Sequence, residues 1–299
     1  MRNANLDTYS QVLDTFKSSQ LNLESTEIVE TANIDLNDVT LKISKVAEIS
    51  NLEWQKLCDI FNSFKFVILD CEPIPNPKEN VIALKNFFGS VRRHHKNSDE
   101  YGIQAIRDIN SAKDISNTNQ THPIHTDGTF YNEPPKVVAL QCEIPAKTGG
   151  LSQIVYAESV YDYFREHYPQ ELQALFTPGS FTITKDNQTS KRAVFAEREG
   201  RISVRFRYDK YVSTTILPEV EKAFSVFQNY VNDLNNQILF KLKAHQILIF
   251  DNTGVLHGRT SFPNNDRRKI NKLWFEGDTE YAREIQFGFK PKSYLEISV

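Results

Sequence analysis

From residue 125 onward the chain is cut into short apolar runs separated by turns, and this texture constrains the fold more than any other feature. KVVALQCEI, LSQIVYA, FTITKD, RAVFAE, ISVRFRYD, HQILIFD, GVLHGRTSF and KINKLWFEG each read as a short strand. Two amphipathic stretches interrupt them, AESVYDYFREHYPQELQAL and PEVEKAFSVFQNYVNDL, and read as helices. Many short strands with helices packed outside describe a sandwich or jelly roll rather than alternating βαβ units. The expected class is mainly β with flanking helices.

Ahead of residue 125 the pattern is mixed. Residues 1 to 50 open helix-like, and DVTLKISKV then alternates as a strand at the edge of the main body would. NLEWQKLCDIFNSF has helical spacing, KFVILDC is a buried-strand run, and NVIALKNFFGSV reads as a helix with Gly89 near its end. AIRDINSAKDISNTNQTHP is polar and reads as a loop. With no repeat or linker in 299 residues, one domain over 1–299 is expected. It divides into N-terminal helices and edge strands (1–120), core strands (121–280) with a helical insert around 157–235, and a C-terminal extension (281–299).

A net charge of −3, with the basic residues spread out except for VRRHHK at 91–96, argues against a nucleic-acid footprint; that run reads as a solvated helix end. Three widely spaced cysteines, Cys58, Cys71 and Cys142, make neither a disulfide framework nor a thiolate zinc site, which fits a reducing, cytoplasmic setting. The N-terminus lacks an apolar leader core and no window approaches a membrane span, so neither export nor membrane insertion is expected.

The stretch HPIHTDGTF, residues 122–130, carries the first chemistry. On a strand, side chains two apart share a face, so His125 and Asp127 can offer an imidazole and a carboxylate to one ion. A second histidine would complete a 2-His-1-carboxylate facial triad, the Fe(II) arrangement that leaves positions open for a cosubstrate and O2. His257 is the best candidate, because it follows the run ILIF and a polar turn. Its rivals are less well placed: His122 in the loop before the strand, His94 and His95 in the basic run, His167 on a helix and His245 at a strand start.

Two blocks, HTDGTFYNEPPKVVALQCEIPAKTGGLSQIV and ILIFDNTGVLHGRTSFPNNDRRKINKLWFEG, resemble the taurine dioxygenase (TauD/TfdA) and clavaminate synthase-like group of Fe(II)/2-oxoglutarate-dependent oxygenases. The resemblance implies a double-stranded β-helix, or jelly roll, with His125, Asp127 and His257 as iron ligands. It implies Fe(II), 2-oxoglutarate and O2 as cofactor and cosubstrates. Halogenating relatives replace the carboxylate with a small residue; this chain keeps Asp127, so halogenation is not expected.

In such enzymes the distal carboxylate of 2-oxoglutarate meets an arginine about a dozen positions after the second histidine, which points to Arg268. Lys272, on the same face, is the alternative, and stands where several relatives carry a second Arg. Ser152 occupies the position of an assisting hydroxyl, delivered by a turn at Gly149 and Gly150. Arg259 could face the same cavity or pair with Asp251; Arg205 and Arg207, sharing a strand face, could meet an anionic substrate group or be solvated; Phe130 shapes the pocket.

The implied reaction hydroxylates an unactivated C–H bond of a small metabolite, an amino acid or another carboxylate-bearing compound, free or carrier-tethered, with release of succinate and CO2. Desaturation or ring closure in a secondary-metabolite pathway starts from the same chemistry. A non-catalytic jelly-roll binding protein would predict a broken triad, a serine hydrolase would need a nucleophile elbow that is absent, and a zinc hydrolase could use the same three ligands but not the arginine anchor.

Overall fold

Alternation explains how one sheet comes to be buried on both faces. A computed structural model describes residues 34–93, 98–109, 114–264 and 266–292; the helix-like opening and part of the basic run lie outside these. Sixteen strands occur among the described residues. The main sheet runs in the order β1 (Thr40–Ile43), β2 (Phe66–Cys71), β14 (Gln246–Asp251), β6 (Val137–Ile144), β16 (Lys269–Phe275) and β3 (Val91–Arg92), with β4 (Gln104–Ile106) also pairing β16. Along β2, Phe66 and Ile68 enter one apolar cluster while Val67 and Leu69 enter the other. Period-two geometry thus feeds two cores from one run.

The outer core is closed by helix α1 (Asn51–Phe64), which presents Trp54, Leu57 and Phe61 to Val67, Leu69 and Ile247. Its start is fixed by a capping box in which the Ser50 side chain accepts from the Glu53 N–H and Glu53 accepts from the Ser50 N–H. Each such apolar side chain, fully buried, contributes about 1.5–3 kcal/mol. The expected helix at NVIALKNFFGSV forms as two short helices, α2 (Lys78–Ala83) and α3 (Lys85–Phe88), ending at Gly89 with φ of 88°.

The inner core packs the main sheet on a second sheet ordered β13 (Ile238–Phe240), β7 (Ser152–Tyr156), β15 (Val255–Arg259) and β5 (His122–His125). Phe66 stacks on Phe240 at 6.0 Å, and Phe250 lies 4.6 Å from the His257 ring, so the two sheets meet face to face. This is the jelly roll expected from the strand texture.

Between β7 and β13 the chain inserts α4 (Ala157–His167), α5 (Pro169–Leu175), α6 (Glu221–Asn232) and two small antiparallel sheets: β8 (Phe181–Lys185) between β9 (Gln188–Arg192) and β12 (Ser213–Ile216), and β10 (Phe195–Arg198) with β11 (Arg201–Val204). The single helix read over AESVYDYFREHYPQELQAL is broken at Tyr168, because Pro169 cannot continue a helix but starts one well. Phe181, Phe195, Phe206 and Phe227 tie the insert to the inner core. No helix among the described residues is long and apolar enough to cross a membrane.

Candidate metal centre

His125 and His257 are direct cross-strand partners in the β5·β15 ladder, so their side chains leave the sheet on one face, with ring centroids 4.2 Å apart. Strand β5 spans His122–His125, so His122 lies on the strand rather than in the loop before it, and Asp127 lies in the following turn rather than on the strand. Asn252 shapes that turn: its side-chain oxygen accepts from the Asp127 N–H at 2.8 Å, and its amide donates to the carbonyls of Asp127 (3.0 Å) and Pro135 (2.8 Å). The carboxylate is thereby returned to the histidines. His125 Nε2 stands 3.4 Å from Asp127 Oδ1, and His257 Nε2 stands 3.8 Å from Oδ2.

One ligand atom from each of the three buried residues lies within 4.8 Å of the others. His125 Nδ1 bonds the Pro123 carbonyl at 2.8 Å, which places the proton on that nitrogen and leaves the Nε2 lone pair facing inward. His125 Nε2 and His257 Nδ1 are buried polar atoms with no hydrogen-bond partner among the described residues. Burial, and then the neighbouring His125, hold His257 well below the usual imidazole range, so it stays neutral, as a ligand must. The donor set fits a divalent metal.

Burial alone would raise the Asp127 carboxyl, but Lys272, with help from His125 and His257, holds it well below the usual carboxylate range. Lys272 Nζ lies 3.1 Å from both carboxylate oxygens and the indole N–H of Trp274 donates to Oδ2 at 2.9 Å. Lys272 is therefore committed to the Asp127 carboxylate. Sequence reading missed Trp274 and Asn252; the first was within reach, because Trp274 is two residues from Lys272 on one strand and shares its face.

The second sheet carries another charged group. Arg259 pairs across β7 with Ser152, two residues along the strand from His257, a distance of about 7 Å. Arg268 is buried beside Gly150, where an added Cβ would stand 3.2 Å from its Cδ and Nε; its Nη1 has no partner among the described residues. Arg267 is exposed. Arg259 and Arg268 both sit over the Phe262 ring, at 4.9 and 5.5 Å. Burial, followed by the Arg268 charge, pushes Arg259 down to about 9, and burial pushes Arg268 down to about 10, both still cationic at neutral pH. Arg259 does not pair with Asp251; its guanidinium donates to the carbonyls of Thr118 (2.9 Å) and Gln120. Ser152 is buried, and Gly149 and Gly150 both have positive φ, so the twin glycines do make a tight turn.

Asp127 also lines a small cavity, together with Gln104, His122, Phe130, Lys185, Arg207 and Lys272, among others. Strand β11 stops at Val204, so Arg205 and Arg207 follow it instead of alternating along it. Arg205 donates to the Asn132 carbonyl at 2.9 Å, whereas Arg207 is buried against Asp209 at 2.7 Å and lines the cavity. His122 stacks on His125 at 3.9 Å, and its Nε2 is buried without a partner among the described residues.

A family model described as "Taurine catabolism dioxygenase TauD, TfdA family" matches residues 26–274. The chain belongs to this family. Among curated relatives of this TauD/TfdA chain, human gamma-butyrobetaine dioxygenase is 25% identical over 194 residues, covering 60% of this chain and 47% of its own length. The chain thus spans about half the length of the first curated relatives it matches. FR-33289 synthase of Streptomyces rubellomurinus is 20% identical and covers 93% of this chain and 83% of its own. Among solved structures, an asparagine oxygenase complexed with Fe(II), 2S,3S-3-hydroxyasparagine and succinate superposes with a TM-score of 0.57 at 15% identity, covering 80% of this chain and 93% of that one. A taurine dioxygenase from Burkholderia xenovorans gives 0.59 at 13% identity, covering 80% and 86%. These structural likenesses establish the jelly-roll fold.

Proposed function

We propose that the protein is an Fe(II)- and 2-oxoglutarate-dependent oxygenase that hydroxylates an unactivated C–H bond of a small metabolite, an amino acid or another carboxylate-bearing compound. The observation that carries this reading is the buried His125, Asp127, His257 set, whose ligand atoms lie within 4.8 Å of one another, with His125 Nε2 left without a hydrogen-bond partner among the described residues. Two neutral imidazoles and one carboxylate suit Fe(II) and leave the site net cationic, which favours an anionic keto acid. Bound there with 2-oxoglutarate and O2, iron supplies the oxidising power for attack on a C–H bond, with succinate and CO2 as coproducts.

The chain's own residues do the positioning. Ser152 and Arg259 face each other two residues along the strand from His257, Arg268 shares the Phe262 ring with Arg259, and the unpartnered Nη1 of Arg268 suits a distal carboxylate. Lys272, already paired with Asp127, is the weaker candidate for that anchor, so the role is assigned to Arg268. Phe130 and Arg207 line the cavity beside Asp127, which is where this reading puts the substrate. Three buried, unpaired cysteines accord with a reducing cytoplasmic setting.

Anaerobic titration with Fe(II) and then 2-oxoglutarate tests this reading. A weak visible charge-transfer band that requires both additions and is lost in Asp127→Ala is expected; iron binding without any band on adding the keto acid would overturn it.

A further inference from the structure

The cavity beside Asp127 carries a fixed donor and a fixed acceptor, each set by a buried charge behind it. Gln104 is directly opposite Lys272 in the β4·β16 ladder, so both side chains leave that sheet on one face and line the cavity. The Lys185 ammonium donates to Asp114 Oδ2 at 2.6 Å, which keeps Asp114 an acceptor-only carboxylate. The Ser116 hydroxyl donates to Asp114 Oδ1 at 3.1 Å and so has no proton left to give. It can only accept, and it does so from Gln104 Nε2 at 3.4 Å. An amide whose two ends differ only by one atom is thereby assigned its orientation: Nε2 faces Ser116 and Oε1 is the end left to accept from a ligand in the cavity that Gln104 lines. Gln104 is 2% exposed, and its Oε1 has no partner among the described residues.

Arg207 is built the same way with the opposite polarity. Its Nε donates to Asp209 Oδ2 at 2.7 Å, the pair is almost fully buried, and Nη2 is left without a partner among the described residues. A buried acceptor and a buried donor left unsatisfied each cost about 1–3 kcal/mol. A ligand that offers an N–H to one and an anionic oxygen to the other removes both penalties. Because Asp114 and Asp209 neutralise Lys185 and Arg207, the wall carries no large net positive charge that would favour a plain polyanion.

We infer that Gln104 and Arg207 are a specificity-determining pair for a zwitterionic, α-amino-acid-like substrate, Gln104 Oε1 accepting from its nitrogen and Arg207 Nη2 donating to its carboxylate, with Asp114 and Ser116 as positioning residues. This rests on the oxygenase reading above for its catalytic meaning, but the recognition itself does not require it. The pair selects by hydrogen-bond polarity: an amine without the carboxylate leaves Arg207 unsatisfied, and an acid without the nitrogen leaves Gln104 unsatisfied.

The test uses the full chain under anaerobic conditions with Fe(II) and 2-oxoglutarate, with the visible band recorded in the same sample. The proteinogenic L-α-amino acids are titrated calorimetrically, and each binder is compared with its decarboxylated amine and its deaminated acid. The expected result is at least one amino acid that binds about tenfold or more tighter than both analogues. Arg207→Lys, which keeps the charge facing Asp209 but removes Nη2, and Gln104→Met should each weaken it by roughly tenfold to a hundredfold. Ser116→Ala, which frees the amide to rotate, should shrink the preference for the amino acid over its deaminated acid, a change that loss of packing alone would not produce.

The inference is overturned if no amino acid binds more tightly than its analogues, or if Arg207→Lys and Gln104→Met both leave affinity unchanged. A visible band without amino-acid binding would sink this pair and leave the oxygenase reading standing. Selective binding that responds to the variants, with no band, would do the reverse.

Discussion

The ammonium of Lys272 sits 3.1 Å from both oxygens of Asp127, so in the metal-free protein a buried lysine stands against the carboxylate that a metal would share. Its removal leaves that carboxylate buried without its cation. Lys272→Met should therefore destabilise the metal-free protein by about 3 kcal/mol. Much of that loss should return on saturation with Mn(II), whose charge replaces the ammonium. Thermal melts with and without the metal check this: the Mn(II)-dependent rise in Tm should be larger in the variant than in the parent, and an equal rise would show that Lys272 does not stand in for the ion.

Arg268 lies beside Gly150 with Nη1 unpartnered, whereas Lys272 is occupied. Arg268→Ala should weaken 2-oxoglutarate binding by about 1.5–3 kcal/mol, the worth of a charge-assisted contact. The band titration reads this directly. An unchanged keto-acid affinity would move the anchor to Arg259 or Lys272.

Asn252 makes three buried hydrogen bonds, two to the backbone of Asp127 and one to Pro135. Asn252→Ala should cost about 3 kcal/mol in urea unfolding. It should also lower Mn(II) affinity, because the turn that aims the carboxylate loses its clamp. Destabilisation with unaltered Mn(II) affinity would mean that the turn holds its shape through Gly128 and Thr126 alone.

Gly149 adopts φ of 59°, and an added Cβ would stand 2.2 Å from the Ser261 carbonyl oxygen, which itself accepts from the Gly150 N–H at 2.8 Å. Backbone can give way only by breaking that bond. Gly149→Ala should therefore destabilise by about 2 kcal/mol or more, and it should weaken 2-oxoglutarate binding, since the same turn leads into Ser152 and borders Arg268. Wild-type stability in the alanine variant would refute the close approach.

Asp114 is held far below the usual carboxylate range: burial opposes its charge, but Lys185 and Arg207 outweigh burial. Lys185 is itself lowered by burial and by Arg207, against the pull of Asp114, yet the 2.6 Å contact is that of a charged pair. Because the folded value is depressed, the unfolded chain takes up the proton first, at about pH 3.9. The stability that Asp114 contributes is present above that pH and disappears as pH falls below it. Asp114→Asn should be about 3 kcal/mol less stable than the parent at neutral pH, with the gap closing below about pH 4. A gap that persists at low pH would assign the loss to packing rather than charge.

Much of the site was legible because it follows from strand geometry. His257 was recoverable from its place after ILIF and a polar turn, and Arg268 could be separated from Arg267 by alternation; the one is buried and the other exposed. The same alternation, carried one step further along KINKLWF, would have added Trp274. It failed where regular structure stops. Asp127 sits in a turn, and Arg205 and Arg207 follow the end of β11, so a period of two no longer says where their side chains point. The break at Tyr168 was also readable, since Pro169 ends any helix that reaches it.

The sequence by itself determined the periodicities, and with them a sheet buried on both faces, the amphipathic helix at 51–64 and the residue types of a metal centre. These depend on neighbours along the chain, where backbone geometry fixes which side chains share a face. The tertiary structure alone decided which polar groups meet: Lys272 with Asp127, Asn252 with the Asp127 turn, Lys185 with Asp114, and Gln104 with Ser116. Three of these four pairs join residues more than 70 positions apart, and the fourth joins residues 12 apart. In each a buried polar group is satisfied by whatever partner the packed sheets bring within about 3 Å, which chain periodicity does not encode.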